Sequence, residues 1–203
     1  MRLLIIIAIM ALGAGLSTAQ HHHGSGEALK AGQIQNEHSL YHLNSDWTTH
    51  RGKTVKLSDF EGKPAIVVMF YGNCKEVCPI LIQDTWRLFS ALDEPQRKQV
   101  NVLAVSFDPQ NDTPQVLNDY AKQERLDLPN WHFMTAQRAH IRSLAMMLGV
   151  QYSKKSNGHF AHSNLVTVLD HKGRIIKRVE GLDQPMKNAA ATIDSTLNNA
   201  ELQ

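Results

Sequence analysis

Two cysteines, Cys74 and Cys78, are the only thiols in a chain of 203 residues. Thiols four positions apart can serve as a structural disulfide, as a reversible redox pair, or as two soft ligands for a metal ion. Pro79 follows directly and indicates the first turn of a helix, which places Cys78 at or near the helix cap and Cys74 in the preceding loop. The amides and the dipole of a helix N-terminus favour thiolate over thiol, so the sequence predicts a lowered pKa for both cysteines.

A disulfide between the two cysteines is possible, but it would stabilise the fold only slightly. Residues four apart around a helix start have their α-carbons about 6 Å apart, which is within disulfide range. Closing so short a loop removes chain entropy worth only about 2 kcal/mol. Redox or metal chemistry is therefore favoured over a purely structural bridge. A third ligand near the two thiols would favour a metal site over a redox pair.

The eleven histidines supply candidates for that third ligand. His159 and His162 stand at the entry to a predicted buried strand, in the stretch GHFAHSNLVTVLD. Residues three apart in an extended chain point to opposite faces, so only one of the two is expected to face the cysteines. The residues alone do not say which one. Six other histidines are predicted to be solvated or hydrogen-bonded: His38, His42, His50, His132, His140 and His171.

The order of predicted elements indicates an α/β fold. The continuous apolar run at 65–70 is typical of a strand buried on both faces, and residues 100–107 are predicted as a second buried strand. A helix is predicted after each, at 80–92 and 113–124. The remaining predicted elements are a strand at 131–134, a helix at 139–148, a hairpin of strands 164–170 and 174–180, and a helix at 184–199. This alternation predicts a sandwich with helices on both faces of a mixed central sheet. Both cysteines follow the first buried strand, at the end where reactive groups of such folds collect.

The amino terminus predicts export. Residues 1–19 combine Arg2, an apolar run and a small-residue ending, as a secretory signal does. The apolar run is about 14 residues long, shorter than the ~20 that a membrane-spanning helix needs. The alternative to a cleaved signal is that this segment stays uncleaved as a membrane anchor. Residues 20–38 predict a flexible tether and residues 39–203 a single domain. We therefore expect a periplasmic protein, soluble or anchored to the inner membrane, in a compartment that permits disulfides.

The composition is that of an ordinary soluble domain, with 42% hydrophobic and 20% charged residues. The formal net charge is +2, and the basic residues are spread along the chain. Neither nucleic acid nor an anionic membrane surface is implied as a partner.

Three segments, in this order, resemble the Sco/SenC family. The first is the C-x-x-x-C-P motif at 74–79, and the second is SFDP at 106–109 with DTP at 112–114. The third is His162-Ser163, followed by VTVLD at 166–170 and by Gly173. The resemblance spans roughly 39–182 and implies a thioredoxin-like three-layer sandwich, export, and copper binding.

The same resemblance implies roles for particular residues. Cys74, Cys78 and His162 correspond to the copper ligands, and the two cysteines to a pair that can form a disulfide. Asp108 corresponds to an aspartate with a role around the metal or in docking a partner, although an aspartate in a turn before proline is an equal alternative. Lys75 stands where many members have proline, and its charge favours thiolate at Cys74, which shifts the expected balance toward redox work.

Two thiolates and one imidazole form a soft, three-coordinate site that favours Cu(I) over zinc. The expected function is an exported copper-binding protein that holds Cu(I) and delivers it to the copper-accepting subunit of cytochrome c oxidase or to another exported cuproprotein. His162, distant in sequence from the cysteines, is the natural ligand to leave. The alternative is a metal-independent thiol–disulfide oxidoreductase that keeps partner cysteines reduced, so whether the protein is an enzyme stays open.

Two further groups of residues have metal-binding chemistry. Cleavage after Ala19 would expose an amine next to His21–His23, an arrangement that suits Cu(II), although a solvated histidine run is the simpler interpretation. Met69, Met146 and Met147 carry thioethers, but their positions in apolar segments predict packing in the core.

Overall fold

The computed structural model describes residues 28–33 and 38–200. The predicted signal segment and His21–His23 lie outside these ranges. Within them, nine strands are formed: β1 Asp46–Thr49, β2 Thr54–Lys56, β3 Ala65–Phe70, β4 Asn101–Ser106, β5 Trp131–Thr135, β6 Tyr152–Lys154, β7 Phe160–His162, β8 Leu165–Leu169 and β9 Ile175–Glu180. The same ranges contain five α-helices and two short 3-10 turns: α1 Val77–Ser90, α2 Glu94–Lys98, α3 Pro114–Gln123, α4 Arg138–Leu148 and α5 Lys187–Ala200, with turns at Leu40–His42 and Leu57–Phe60.

Seven strands form one mixed sheet in the order β2-β1-β5-β4-β3-β8-β9. The central strands β3, β4 and β5 are parallel, while β1 and β8 run antiparallel to their central neighbours. All six residues of β3 are buried, so both faces of the sheet are covered there. The predicted α/β fold, a mixed sheet flanked by helices, is confirmed.

Aromatic residues of β5 show how the helices pack on the sheet. Trp131 and Phe133 point to one face because they are two positions apart in a strand. The ring of Trp86 in α1 lies 6.2 Å from that of Trp131, and the ring of Tyr120 in α3 lies 5.7 Å from that of Phe133. His132, between them, points to the opposite face and contacts an aromatic ring of the second 3-10 turn. Helices α1 and α3 therefore share one face of the sheet.

Helix α1 begins at Val77, three residues earlier than predicted. Pro79 is tolerated inside its first turn because the first four amides of a helix have no partner within the helix. Cys78 is thereby a residue of the first turn, and Cys74 stays in the loop before it. Helix α4 ends at Leu148, the predicted last residue, and Gly149 after it has a left-handed φ of 72° that glycine adopts without strain.

Several short elements were not predicted, namely the β1–β2 hairpin, helix α2 and the β6–β7 hairpin. The last forms a separate two-stranded sheet in which Tyr152 pairs with His162. Core packing is confirmed for Met69, which is 1% exposed, and is wrong for Met146, which is 74% exposed. Helix α4 buries its other side, so Met146 falls on its solvent side.

Residues 28–33, inside the predicted tether, are hydrogen-bonded to the domain. The amide of Ala31 donates to Glu180 Oε1 over 2.7 Å, and the amide of Gly32 donates to the carbonyl of Gly149 over 2.7 Å. Residues 31 and 32 make these contacts with their backbone amides, and such contacts leave no hydrophobic pattern in a sequence. In the part of the chain that the structure describes, every helix is too short or too polar to cross a bilayer.

Candidate metal centre

The loop after β3 positions both cysteines. The amide of Cys74 donates to the carbonyl of Tyr71 over 3.3 Å, which closes a tight turn. The amide of Cys78, in the first turn of α1, donates to Cys74 Sγ over 3.3 Å. Cys74 is 7% exposed and Cys78 is fully buried, so only Cys74 is accessible from solvent.

His162, the last residue of β7, closes on the same place from the other side. Its Nε2 atom lies 3.4 Å from Cys78 Sγ, and its Nδ1 atom lies 3.0 Å from the carbonyl oxygen of Ser163. A carbonyl oxygen can only accept, so Nδ1 carries a proton, and Nε2 is the ring nitrogen that faces the sulfur. Metal-binding histidines are commonly oriented by this kind of bond from the other ring nitrogen.

The loop, the helix start and the β7 strand thus bring Cys74, Cys78 and His162 together. With bonds of about 2.3 Å to sulfur and about 2.0 Å to nitrogen, the lengths usual for zinc, the two ligand atoms are about 3.7 Å apart in a three-coordinate centre and about 3.5 Å apart in a tetrahedral one. The observed sulfur–nitrogen separation of 3.4 Å is slightly shorter than either value, which places the two atoms close enough to share one ion. Within residues 28–33 and 38–200, no three His, Cys, Asp or Glu side chains are already arranged to hold a metal ion, so Cys74, Cys78 and His162 would have to move for all three to bind one.

The two thiols differ in acidity. The pKa of Cys74 is lowered, first by its hydrogen bond with the Cys78 thiol and also by His162 and two backbone amides, against the opposing effect of burial. The pKa of Cys78 is raised, first by burial and then by the hydrogen bond and charge of Cys74. The predicted lowering is therefore confirmed for Cys74 and wrong for Cys78, because burial disfavours the Cys78 thiolate and the neighbouring Cys74 thiolate opposes a second negative charge.

Aromatic rings enclose the histidine. The ring of Phe107 lies 5.2 Å from that of His162, and the ring of Tyr71 lies 6.3 Å away at a steep angle. Phe160 contacts both of these aromatic rings. Their packing excludes water from one side of the imidazole and keeps the environment of the sulfur–nitrogen contact apolar.

His159 also reaches this region, contrary to the expectation that only one of the two histidines would. It precedes β7, so the alternation of side chains in a strand does not apply to it. Its Nδ1 atom lies 3.3 Å from the hydroxyl of Tyr71. Together with Cys74 and His162 it lines a cavity of about 250 Å³.

Asp108 and Asp112 have separate places beyond the end of β4. The carboxylate of Asp108 accepts from Asn111 Nδ2 over 2.7 Å, within its own turn. The buried carboxylate of Asp112 instead accepts from the amide of Gly72, over 2.8 Å, and from the hydroxyl of Ser106. Asp112 therefore supports the cysteine loop directly, a role that the sequence analysis did not assign to it.

Asp112 is the first residue of the DTP motif at 112–114, but no pattern in the sequence predicted that it or Tyr71 belongs to this region. The Asp112–Gly72 contact joins residues forty positions apart, and it depends on how two loops meet beyond adjacent strands. Tyr71 stands three positions before Cys74, and that proximity in sequence was the one available clue. Burial raises the pKa of Tyr71, and the charge of Cys74 raises it further.

The fold is thioredoxin-like, with a mixed sheet and a dithiol at the start of the helix that follows a central strand. Because His162 contacts this dithiol, we call Cys74, Cys78 and His162 the dithiol–histidine centre. The family model described as SCO1/SenC matches residues 35–198, and the chain belongs to that family.

Relatives and solved structures agree with this assignment. The SCO1 protein homolog of Bacillus subtilis is 25% identical over 135 residues, which cover 65% of this chain and 69% of that protein. Arabidopsis thaliana ScoI, solved with copper bound, superposes with a TM-score of 0.66 at 19% identity, covering 76% of this chain and 96% of that one. BsSco, described as a member of the Sco family of cytochrome c oxidase assembly proteins and as having a disulfide switch, has a TM-score of 0.66 at 20% identity, covering 83% and 98%.

Proposed function

We propose that the protein is an exported copper carrier that holds Cu(I) with Cys74, Cys78 and His162. The observation that carries this proposal is the 3.4 Å contact between Cys78 Sγ and His162 Nε2, with Nδ1 of the ring occupied by a carbonyl. Two sulfurs and one imidazole nitrogen are soft donors, and soft donors favour Cu(I). The copper-bound ScoI relative supports copper as the cargo.

Each ligand has a distinct part in this proposal. Cys74 is the more accessible sulfur and the first to ionise, so it makes the first contact with an incoming ion. Cys78 loses its proton on binding, because a metal takes the thiolate form. His162 comes from the separate β6–β7 sheet and is the ligand that leaves when a partner cysteine captures the ion.

The recipient that we propose is the copper-accepting subunit of cytochrome c oxidase, with another exported cuproprotein as the broader class. The assembly role stated for BsSco supports this choice. The proposed location is the periplasm, reached by the predicted signal of residues 1–19 and with a membrane link only if that segment stays uncleaved. A docking role for Asp108 belongs to the same proposal, since it lines a groove beside Phe107 and Phe160.

An anaerobic Cu(I) titration of the reduced protein, followed by X-ray absorption, tests the ligand set. We expect one ion per chain with two sulfur ligands and one nitrogen ligand. His162→Ala should remove the nitrogen and weaken binding, whereas His159→Ala, in the same cavity, should keep both. A His162→Ala protein that binds Cu(I) as tightly as wild type, with nitrogen still present, would refute the assignment.

A second function, reduction of partner disulfides, is supported by the unequal thiols. Cys74 would attack a partner disulfide as the thiolate, which forms a mixed disulfide and releases one partner thiolate. Cys78 would then attack Cys74 Sγ, which forms the Cys74–Cys78 disulfide and releases the second partner thiolate. The Cys78 proton and one proton from solvent complete the two partner thiols, so the partner gains two electrons and the dithiol loses two.

The two functions make different demands on His162. A metal-free, reduced sample mixed with a partner disulfide reports stoichiometric reduction, and His162→Ala should retain most of that activity because the step uses only sulfur. The affinity for Cu(I), in contrast, should depend on His162. Failure of the metal-free protein to reduce the disulfides of the oxidised copper-accepting domain would reject the reductase function.

A further inference from the structure

The backbone of residues 28–33, which we call the strap, is bonded directly to the strand end that carries His162. The amide of Leu29 donates to the carbonyl oxygen of His162 over 3.2 Å. Next to it, the hydroxyl of Ser163 donates to the carbonyl of Lys30 over 3.1 Å. The strap thus holds the two consecutive residues that fix the imidazole, since the ring itself donates to the Ser163 carbonyl.

The other end of the strap is attached to the main sheet and to the end of α4. Ala31 and Gly32 donate to Glu180 and Gly149, as described above, and the guanidinium of Arg178 donates to the carbonyl of Gly32 over 3.1 Å. Glu180 and Arg178 belong to β9, an edge strand of the seven-stranded sheet. The strap therefore connects a strand of the main sheet to the small β6–β7 sheet.

The β6–β7 sheet needs such a support. It has two strands of three residues each, and isolated hairpins of this size are marginally stable in water. The buried Ser163 side chain accepts from the amide of Gln151 over 3.0 Å while it donates to the strap, so the residue before β6, the residue after β7 and the strap meet at one point. Ala28, at the start of the strap, lines the cavity that contains Cys74 and His162.

We propose that the strap is a positioning element for His162, and that its attachment sets how readily His162 exchanges as a ligand. With the strap attached, the carbonyl of His162 and the Ser163 peptide are fixed, so the imidazole stays aimed at Cys78. With the strap detached, the end of β7 frays and the imidazole leaves more often. The claim about ligand exchange rests on the proposed copper function, whereas the claim about positioning applies to the metal-free protein as well.

Leu29→Pro in the full-length chain tests the strap, because proline removes the one amide that bonds to His162. Leu29→Ala is the matched control, since it shortens the same side chain but keeps the amide. In metal-free protein, we expect amide hydrogen exchange at Ser163 to be about five- to tenfold faster in Leu29→Pro than in Leu29→Ala, as the loss of one hydrogen bond predicts. Exchange at Val68, in the central strand, should be the same in both.

The second readout is release of Cu(I) to a bicinchoninate chelator, which should be faster in Leu29→Pro by a similar factor. Equal exchange at Ser163 in the proline and alanine variants overturns the positioning role. Faster exchange with an unchanged release rate overturns the link to ligand exchange. If wild type binds no Cu(I), the proposed function fails, and the exchange comparison still tests the positioning role.

A second pair of variants covers the case in which Leu29→Pro does not fold. Glu180→Ala removes the acceptor of the Ala31 amide, and Glu180→Gln keeps an acceptor at the same place. Both changes are on β9, away from the cysteines. Ser163 exchange that is faster in Glu180→Ala than in Glu180→Gln supports the strap, and identical exchange in the two variants contradicts it.

Discussion

The amide of Gly72 donates a 2.8 Å hydrogen bond to the carboxylate of Asp112, which is 1% exposed. Gly72 stands two residues before Cys74, so this bond fixes the loop that carries the first sulfur. The same carboxylate accepts from Ser106, at the end of β4. The cysteine loop is thereby tied to the neighbouring strand of the main sheet.

Replacing Asp112 with alanine should destabilise the protein and loosen the cysteine loop. Two donors, the Gly72 amide and the Ser106 hydroxyl, would lose their acceptor, at a cost of about 2 to 4 kcal/mol in the free energy of unfolding. Urea unfolding measures this change. Asp108→Asn is the control, because its partner Asn111 is within its own turn, and it should cost less than about 1 kcal/mol. Equal losses in the two variants would contradict the role of Asp112.

Gly72→Ala should be destabilising because of Asp112 and not because of the backbone. A Cβ atom at position 72 would lie 2.9 Å from Asp112 Oδ1, which is closer than side chains tolerate. We expect a cost of about 1 to 3 kcal/mol in wild type, and a smaller cost when Asp112 is already alanine. A double-mutant cycle by urea unfolding measures the difference. Additive effects would show that the crowding lies elsewhere.

Iodoacetamide should label Cys74 before Cys78 in the folded, reduced protein. Cys74 is 7% exposed and has the lowered pKa, whereas Cys78 is fully buried with a raised pKa. Peptide mass spectrometry after short labelling times measures the order. In urea the two thiols should react at similar rates, which serves as the control. Preferential labelling of Cys78 in the native protein would show that the pair is oriented differently.

Acid should weaken the fold through His132. Burial lowers the pKa of His132 to about 4, from an ordinary value of 6.5. As pH falls below 6.5, the unfolded chain binds a proton that the native state does not, so the free energy of unfolding falls until about pH 4 and then levels off with respect to this group. The full loss is on the order of 3 kcal/mol. Urea unfolding at pH 7 and pH 4.5 measures it.

His132→Gln should show a smaller difference between those two pH values than wild type. The exposed His42 provides the control, and His42→Gln should leave the difference unchanged. His50 is buried as well and its pKa is also lowered, first by burial, so part of the acid sensitivity stays in the His132 variant. An unchanged pH difference in His132→Gln would contradict the prediction.

The parts of the fold that the sequence predicted are those with a strong local pattern. β3 is a continuous apolar run, β4 is apolar between its end residues Asn101 and Ser106, and Gly149 stops α4 through its own backbone conformation. The end of the first buried strand correctly located both cysteines. The missed β6–β7 hairpin has strands of only three residues each, and segments that short carry no readable period.

The candidate site was predictable only in part, for a related reason. The sequence places Cys74 and Cys78 on one turn, and family resemblance selected His162. The contacts that orient these residues come from Asp112, Tyr71 and the strap, and they depend on how distant backbones meet. Such contacts produce no recognisable spacing of residue types in the sequence, because the two partners are positioned by different structural elements.

The cysteines and the histidine of the dithiol–histidine centre are held by different sheets. The cysteine loop continues from a strand that is paired on both sides, whereas His162 ends a strand that belongs to no larger sheet. The loop between β6 and β7 can therefore change in length or sequence while the central core keeps its packing. Variation among homologues in that loop would retune how firmly the third ligand is held without affecting whether the domain folds.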